Sequence, residues 1–191
     1  ATGVATTYFS KNYSYDTGGH LRQVTGNNGQ VETFTYDANG RIATSTDVTQ
    51  ATTRYHYDAQ GRLARVEYPD GGVARYAYDA LGRMTQVTDP KNQITRYVFN
   101  GFGELVRQES PDTGVTTYGY DSAGRPSWEA TADGRVAQFT VDGLGRVTAR
   151  SSNWPNTHAS SAALDPLTRR YVYDSCTYGK GRLCSTSDHT G

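Results

Sequence analysis

Apolar and polar positions alternate along most of the chain, in short runs. In "RYAYD", Tyr76 and Tyr78 stand two apart, so on a strand they share one face while Arg75 and Ala77 share the other. The same pairing recurs as Phe34/Tyr36, Tyr55/Tyr57, Tyr97/Phe99 and Tyr118/Tyr120. Each run is about 6–8 residues long, near the usual strand length. Asp, Asn and Gly bound the runs, so the pattern predicts strands joined by tight turns.

The runs repeat. Tyr15, Tyr36, Tyr57, Tyr78, Phe99, Tyr120 and Val141 fall 21 residues apart, and Gly19, Gly40, Gly61, Gly82, Gly103, Gly124 and Gly145 keep step. An eighth unit starts at Tyr173, after 32 residues instead of 21. Each unit reads Tyr-Asp-x-x-Gly-Arg-Leu, an outgoing strand, a second turn and a return strand ending in the aromatic pair. Asp reaches the backbone N–H two residues on, and Gly accepts positive φ after a type I turn. The predicted corners are Asp37, Gly40 and Arg41; Asp58, Gly61 and Arg62; Asp79, Gly82 and Arg83; Asp121, Gly124 and Arg125; and Asp142, Gly145 and Arg146. Second turns are predicted at Asn28-Gly29, Asp70-Gly71-Gly72, Lys91-Asn92, Asp112-Thr-Gly114 and Asp133-Gly134. Leu21, Ile42, Leu63, Met84, Leu105 and Val147 mark an apolar position after the corner, with Pro126 the exception.

A lone two-stranded hairpin is marginal, so each unit needs its neighbours. The expected fold is all-β: a continuous antiparallel sheet of repeated 21-residue β-hairpins, one array over residues 1–191. Residues 1–14 fit the return strand of an earlier unit and the chain stops inside the eighth, as expected of a fragment of a longer array. The insertion within 151–170, "SSNWPNTHASSAALDPLTRR", is expected to be a surface loop between repeats; a contact loop for a partner or a sugar is the alternative.

Copies within the chain can be compared. The turn Asp stands at 16, 37, 58, 79, 121, 142 and 174, and only Asn100 departs. Arg41, Arg62, Arg83, Arg125, Arg146 and Arg182 follow the glycine, and His20 and Glu104 depart. The copy that loses Asp also loses Arg. With Glu104 present, an Asp at 100 would put two carboxylates at one corner; Asn removes that repulsion and keeps the turn chemistry. Asp and Arg are therefore expected to pair, within a repeat or with the next one; a solvated Arg is the alternative.

Composition narrows the reading. Lys+Arg and Asp+Glu balance at 19 each, so no net field draws the chain to nucleic acid or an anionic membrane. No apolar run is long enough to span a bilayer. Scarce Leu, Ile, Val and Phe would hint at disorder, but 15 Tyr and zero net charge oppose it. The opening "ATGVATTYFS" has no signal-peptide pattern, which leaves an upstream signal, another export route or an internal protein. No His-Glu-x-x-His, Walker A or Gly-x-Ser-x-Gly is present. "GFGELV" at Gly101 lacks the third Gly of a dinucleotide fingerprint, and the four His are scattered without ligand spacing. No catalytic, cofactor or metal site is predicted. Cys176 and Cys184 flank the enlarged corner of the eighth unit and are placed for cross-strand approach. A disulfide is expected in an exported protein, and two thiols in the cytosol.

"YDANGRIATSTD", "YDAQGRLARVEYPDG" and "YDALGRMTQVTD" resemble the YD-repeat, or RHS-repeat, family, with the likeness running over roughly residues 8–190. Members are large secreted or surface proteins: bacterial polymorphic toxins, insecticidal toxin-complex subunits, wall-associated proteins and animal teneurins. The resemblance implies a curved segment of a spiral β-shell, structural and non-catalytic, secreted or at the bacterial cell surface. Its partners would be the remainder of the shell and an enclosed C-terminal toxin domain. Relatives cleave themselves at an Asp-Pro-x-Gly type motif; here Asp165-Pro166 is followed by Thr168 where Gly would stand, so that function is not carried over. The second reading is a module that binds carbohydrate or a surface partner, favoured by exposure of Trp128 and Trp154 and opposed by their burial. Neither nucleic acid binding nor membrane insertion is expected of this segment.

Overall fold

The computed structural model describes residues 10–153, 169–178 and 180–188. Trp154, His158, Asp165, Pro166 and His189 lie outside the described residues, and so does most of the insertion. The described residues form sixteen strands, with no helix among them. Among the described residues no helix is long and apolar enough to cross a membrane. The chain divides into two compact units, residues 1–93 and 94–191.

The first unit contains β1 (Lys11–Tyr15), β2 (Leu21–Gly26), β3 (Val31–Tyr36), β4 (Ile42–Thr46), β5 (Thr52–Tyr57), β6 (Leu63–Glu67), β7 (Val73–Tyr78) and β8 (Met84–Thr88). From β2 on, each pairs antiparallel with the strand before it. The second contains β9 (Ile94–Phe99), β10 (Leu105–Ser110), β11 (Gly114–Tyr120), β12 (Pro126–Ala130), β13 (Val136–Val141), β14 (Val147–Asn153), β15 (Arg169–Tyr173) and β16 (Leu183–Asp188), paired in the same serial way. The fold is thus all-β and antiparallel, built hairpin by hairpin.

Register sorts the side chains onto two unlike faces. On one, Tyr55 faces Val66, Val66 faces Ala74, and Tyr76 faces Val87. On the other, His56 faces Arg65 and Arg65 faces Arg75. Arg65 and Arg75 repel as like charges directly opposite, and Glu67 relieves them by holding Arg65 at 2.8 Å while also lying 3.2 Å from His56 Nε2. The buried apolar residues lie on the aromatic face, while buried Thr88 lies on the other, across from Arg75. Val24, Val66, Ala74 and Ala137 are the buried apolar residues, and no described side chain is fully enclosed. From Phe34 to Tyr120 the paired Tyr and Phe side chains on that face are half-buried, while Tyr13 and Tyr15 of the first strand are exposed.

A glycine interrupts this scheme once inside a strand. Gly119 pairs with Trp128, whose indole occupies the space where a Gly119 side chain would stand. Interior glycines mark such close approaches. Trp128 remains 39% exposed.

Candidate functional site

The repeated corners are the most elaborated chemistry in the chain. At Asp58–Arg62 the backbone closes twice: Asp58 N donates to Arg62 O at 2.9 Å, and Gly61 N donates to Asp58 O at 2.9 Å. Gly61 has φ +84°, which an L side chain rarely adopts, and the pairing slips by one residue between His56 and Tyr57. This is a type I turn followed by a left-handed glycine bulge. The Asp58 side chain then ties the corner. Its Oδ1 accepts from Gln60 N at 3.0 Å and Arg62 N at 2.9 Å, while Oδ2 accepts from Arg62 Nε at 2.7 Å. Asp37–Arg41, Asp79–Arg83, Asp121–Arg125 and Asp142–Arg146 repeat all three bonds.

The guanidinium does not stop at its own corner. Arg62 Nη1 donates to the carbonyl of Asp79 in the next repeat at 3.1 Å, and Arg125 Nη1 to that of Asp142 at 3.0 Å. Arg41 lies over the Tyr57 ring and Arg62 over Tyr78, each 4.5 Å from the centroid. A cation over a ring face is attracted by the ring quadrupole. The tyrosine bonds back: Tyr57 OH donates to Ile42 O and Tyr78 OH to Leu63 O, both at 2.9 Å. At these two junctions one repeat is therefore latched to the next by an Asp–Arg–Tyr chain, and at Arg125, where Val141 stands in place of the tyrosine, the carbonyl bond alone remains.

The exceptions keep the latch with other atoms. His20 replaces Arg at the first corner: Nδ1 lies 3.1 Å from Asp16 Oδ2, and its ring stacks on Tyr36 at 4.7 Å. Asn100 keeps the turn, with Oδ1 accepting from Phe102 N and Glu104 N at 3.0 Å each. Its Nδ2 donates to Glu104 Oε2 at 2.5 Å, so the side-chain bond survives with donor and acceptor exchanged. Past the insertion, Arg146 grips Asp142 and also Asp174, each at 2.7 Å, and lies over Tyr173 at 4.5 Å. The altered spacing thus leaves the latch intact.

Electrostatics follow from these bonds. The Arg41 side chain and then its backbone N–H hold the Asp37 carboxyl below its ordinary range. The Arg125 and Arg146 backbone N–H groups, followed by desolvation in opposition and then the guanidinium bonds, leave Asp121 and Asp142 lowered as well. A carboxylate held ionised by an arginine is a poor general acid or base at neutral pH. Among the described residues, no group of three His, Cys, Asp or Glu side chains is arranged to hold a metal ion. At the eighth corner Cys176 and Cys184 are joined as a disulfide, with Cα atoms 5.4 Å apart.

Two features escape a reading of the motif alone. The second corners use the same closure as the first: Asp47 N donates to Ala51 O, and Asp89 N to Gln93 O. Gln50 and Asn92 take the positive φ there, at 67° and 62°. Asp47–Gln50 was not among the predicted turns because it lacks glycine and proline. The aromatic face also changes character. The row that carries Val24, Ser45, Val66 and Val87 in the first unit carries Gln108, Glu129 and Arg150 in the second, so only the second unit lines it with long polar side chains. Arg150 donates to Glu129 Oε1 at 2.8 Å and lies 5.9 Å from the centroid of Phe139. The signal was present at the fifth residue after each corner glycine.

The profile of the teneurin YD-shell family matches residues 4–142. No curated protein sequence matches the chain. Among solved structures, TcdB2–TccC3–Cdc42 is similar with a TM-score of 0.70 and 17% identity, over 87% of this chain and 10% of that one. The Tc holotoxin pore of Photorhabdus luminescens, with a mutant TccC3, is similar with a TM-score of 0.68 and 18% identity, over 85% and 10%. TcdB2–TccC3 without its hypervariable C-terminal region gives 0.69 and 17%, over 87% and 10%. At these identities the likeness is one of fold, and the chain spans about a tenth of the length of those chains.

Proposed function

The chain belongs to the teneurin YD-shell family, and on that premise we propose that it is a non-catalytic stretch of shell wall within a longer secreted or surface protein. In this reading its repeats form one array, curve with the rest of the shell and enclose a C-terminal toxin domain for delivery. The observation that carries the reading is the Asp–Arg–Tyr latch. At Arg41, Arg62, Arg125 and Arg146 it commits an ionised pair to holding one repeat to the next. Such groups serve a wall, and a carboxylate tied to an arginine is a poor proton-transfer group. Limited proteolysis of the complete polypeptide containing these repeats tests it. A domain after the shell is expected to resist protease while the repeats stay intact, and to become cleavable when acid or denaturant opens them. Cleavage at the same rate before and after opening would contradict enclosure.

Binding of carbohydrate or a surface partner is the second reading, and the exposure of Trp128 favours it. A glycan array is expected to show binding that Trp128→Ala abolishes; an array without binding removes this reading and leaves the first untouched.

A further inference from the structure

The corner at Asn100–Glu104 differs from its neighbours in charge as well as in sequence. An Asp–Arg corner is neutral, whereas Asn100 and Glu104 together carry one negative charge. Glu104 also reaches where the arginine reaches. A side chain built on Gly61 would meet Arg41 Nη1 at 3.0 Å, and one built on Gly124 would meet Glu104 Oε1 at 2.9 Å. So Oε1 lies over the next corner at the place a guanidinium nitrogen holds elsewhere. The groups that normally receive that guanidinium are still present. Tyr120 keeps its bond to Leu105 O at 2.9 Å and presents its ring. Asp121 presents the carbonyl that, at Asp79 and Asp142, accepts Nη1 from the preceding arginine. A carboxylate has no N–H to give it. An open pocket lies at this point, walled by Glu104, Tyr118, Tyr120, Asp121 and Gly124, with Phe102 beside it almost wholly exposed.

We propose that this pocket binds an arginine side chain presented by a partner polypeptide. The guest guanidinium donates to Glu104 Oε1 and to the Asp121 carbonyl and stacks on Tyr120 beside the carboxylate, so the Asp121 carbonyl and the ring gain the cationic partner that Arg62 supplies to Asp79 and Tyr78. Arginine suits the pocket better than lysine, because its planar fork serves two acceptors while stacking on a ring. Phe102 supplies an apolar surface for the guest's methylene stem.

The test is an amide NMR titration of the chain with N-acetyl-arginine amide, and with the neutral isostere N-acetyl-citrulline amide as control. The arginine probe is expected to shift the amides of Phe102, Glu104 and Gly124 saturably, while those of the Asp58 and Asp142 corners stay in place. Citrulline is expected to have no such effect. The pair Asn100→Asp with Glu104→Arg rebuilds the standard corner and fills the pocket from within, so it is expected to abolish the shifts. Glu104→Gln keeps the size of the side chain and is expected to weaken binding severalfold. Equal shifts by citrulline, equal binding by either variant, or no saturable shift in the unaltered chain would overturn the proposal.

Discussion

Asp58 makes three bonds with two oxygens, and the two oxygens differ in what replaces them. Oδ1 ties the turn backbone, which an asparagine oxygen does equally well, as Asn100 demonstrates. Oδ2 receives the arginine and needs the charge. Thermal unfolding is therefore expected to rank unaltered chain, Asp58→Asn and Asp58→Ala in falling order of Tm. Equal values for the two variants would show that the turn bonds contribute nothing. The lowered carboxyls make the corners acid-sensitive. A group whose folded pKa is depressed stabilises the fold above its ordinary value of about 4 and loses that contribution as pH falls through the folded value. Stability is thus expected to decline below about pH 4, with Asp37→Asn showing a shallower decline in acid titrations followed by circular dichroism. The coupling of Asp to Arg was legible in the sequence because one copy changed both residues together. The reach of the guanidinium to the next tyrosine was not, since it depends on register across two strands.

Strands and hairpins depend on bonds that skip from one repeat to the next. Tyr78 OH closes a 15-residue span to Leu63 O, and its loss in Tyr78→Phe is expected to cost about 1 kcal/mol in denaturant melts. Tyr36, Tyr57 and Tyr120 make the same bond, so the tyrosine at this position is chosen for its hydroxyl as well as its ring. The alternation of Tyr with polar residues predicted the strands, and Asp-x-x-Gly predicted the first corners. The second corners were harder, because the left-handed position is held by Gln50 at one of them. A glutamine there strains the backbone, so Gln50→Gly is expected to raise stability by up to ~1 kcal/mol, read from the urea midpoint. A fall in the midpoint would show that the Gln50 side chain compensates for its φ.

At the scale of the whole molecule, the scarcity of enclosed side chains sets the terms. Among the described residues four apolar side chains are buried, and even these keep a few per cent of contact with solvent. Stability in such an array comes from each repeat and its two interfaces, with little from distant contacts. The period of 21, the all-β class and the shell family could be read from the sequence, because a fixed period fixes the architecture. The polar row of Gln108, Glu129 and Arg150 could not be placed until register showed that it shares a face with the aromatic pairs. That the chain is wall, and that the wall surrounds a cargo, is the central claim. Cryo-electron microscopy of the complete polypeptide tests it most directly. The account predicts these hairpins in one uninterrupted wall around a lumen that contains density for a further domain. Hairpins in an open strip, or a closed wall around an empty lumen with the further domain outside, would contradict it.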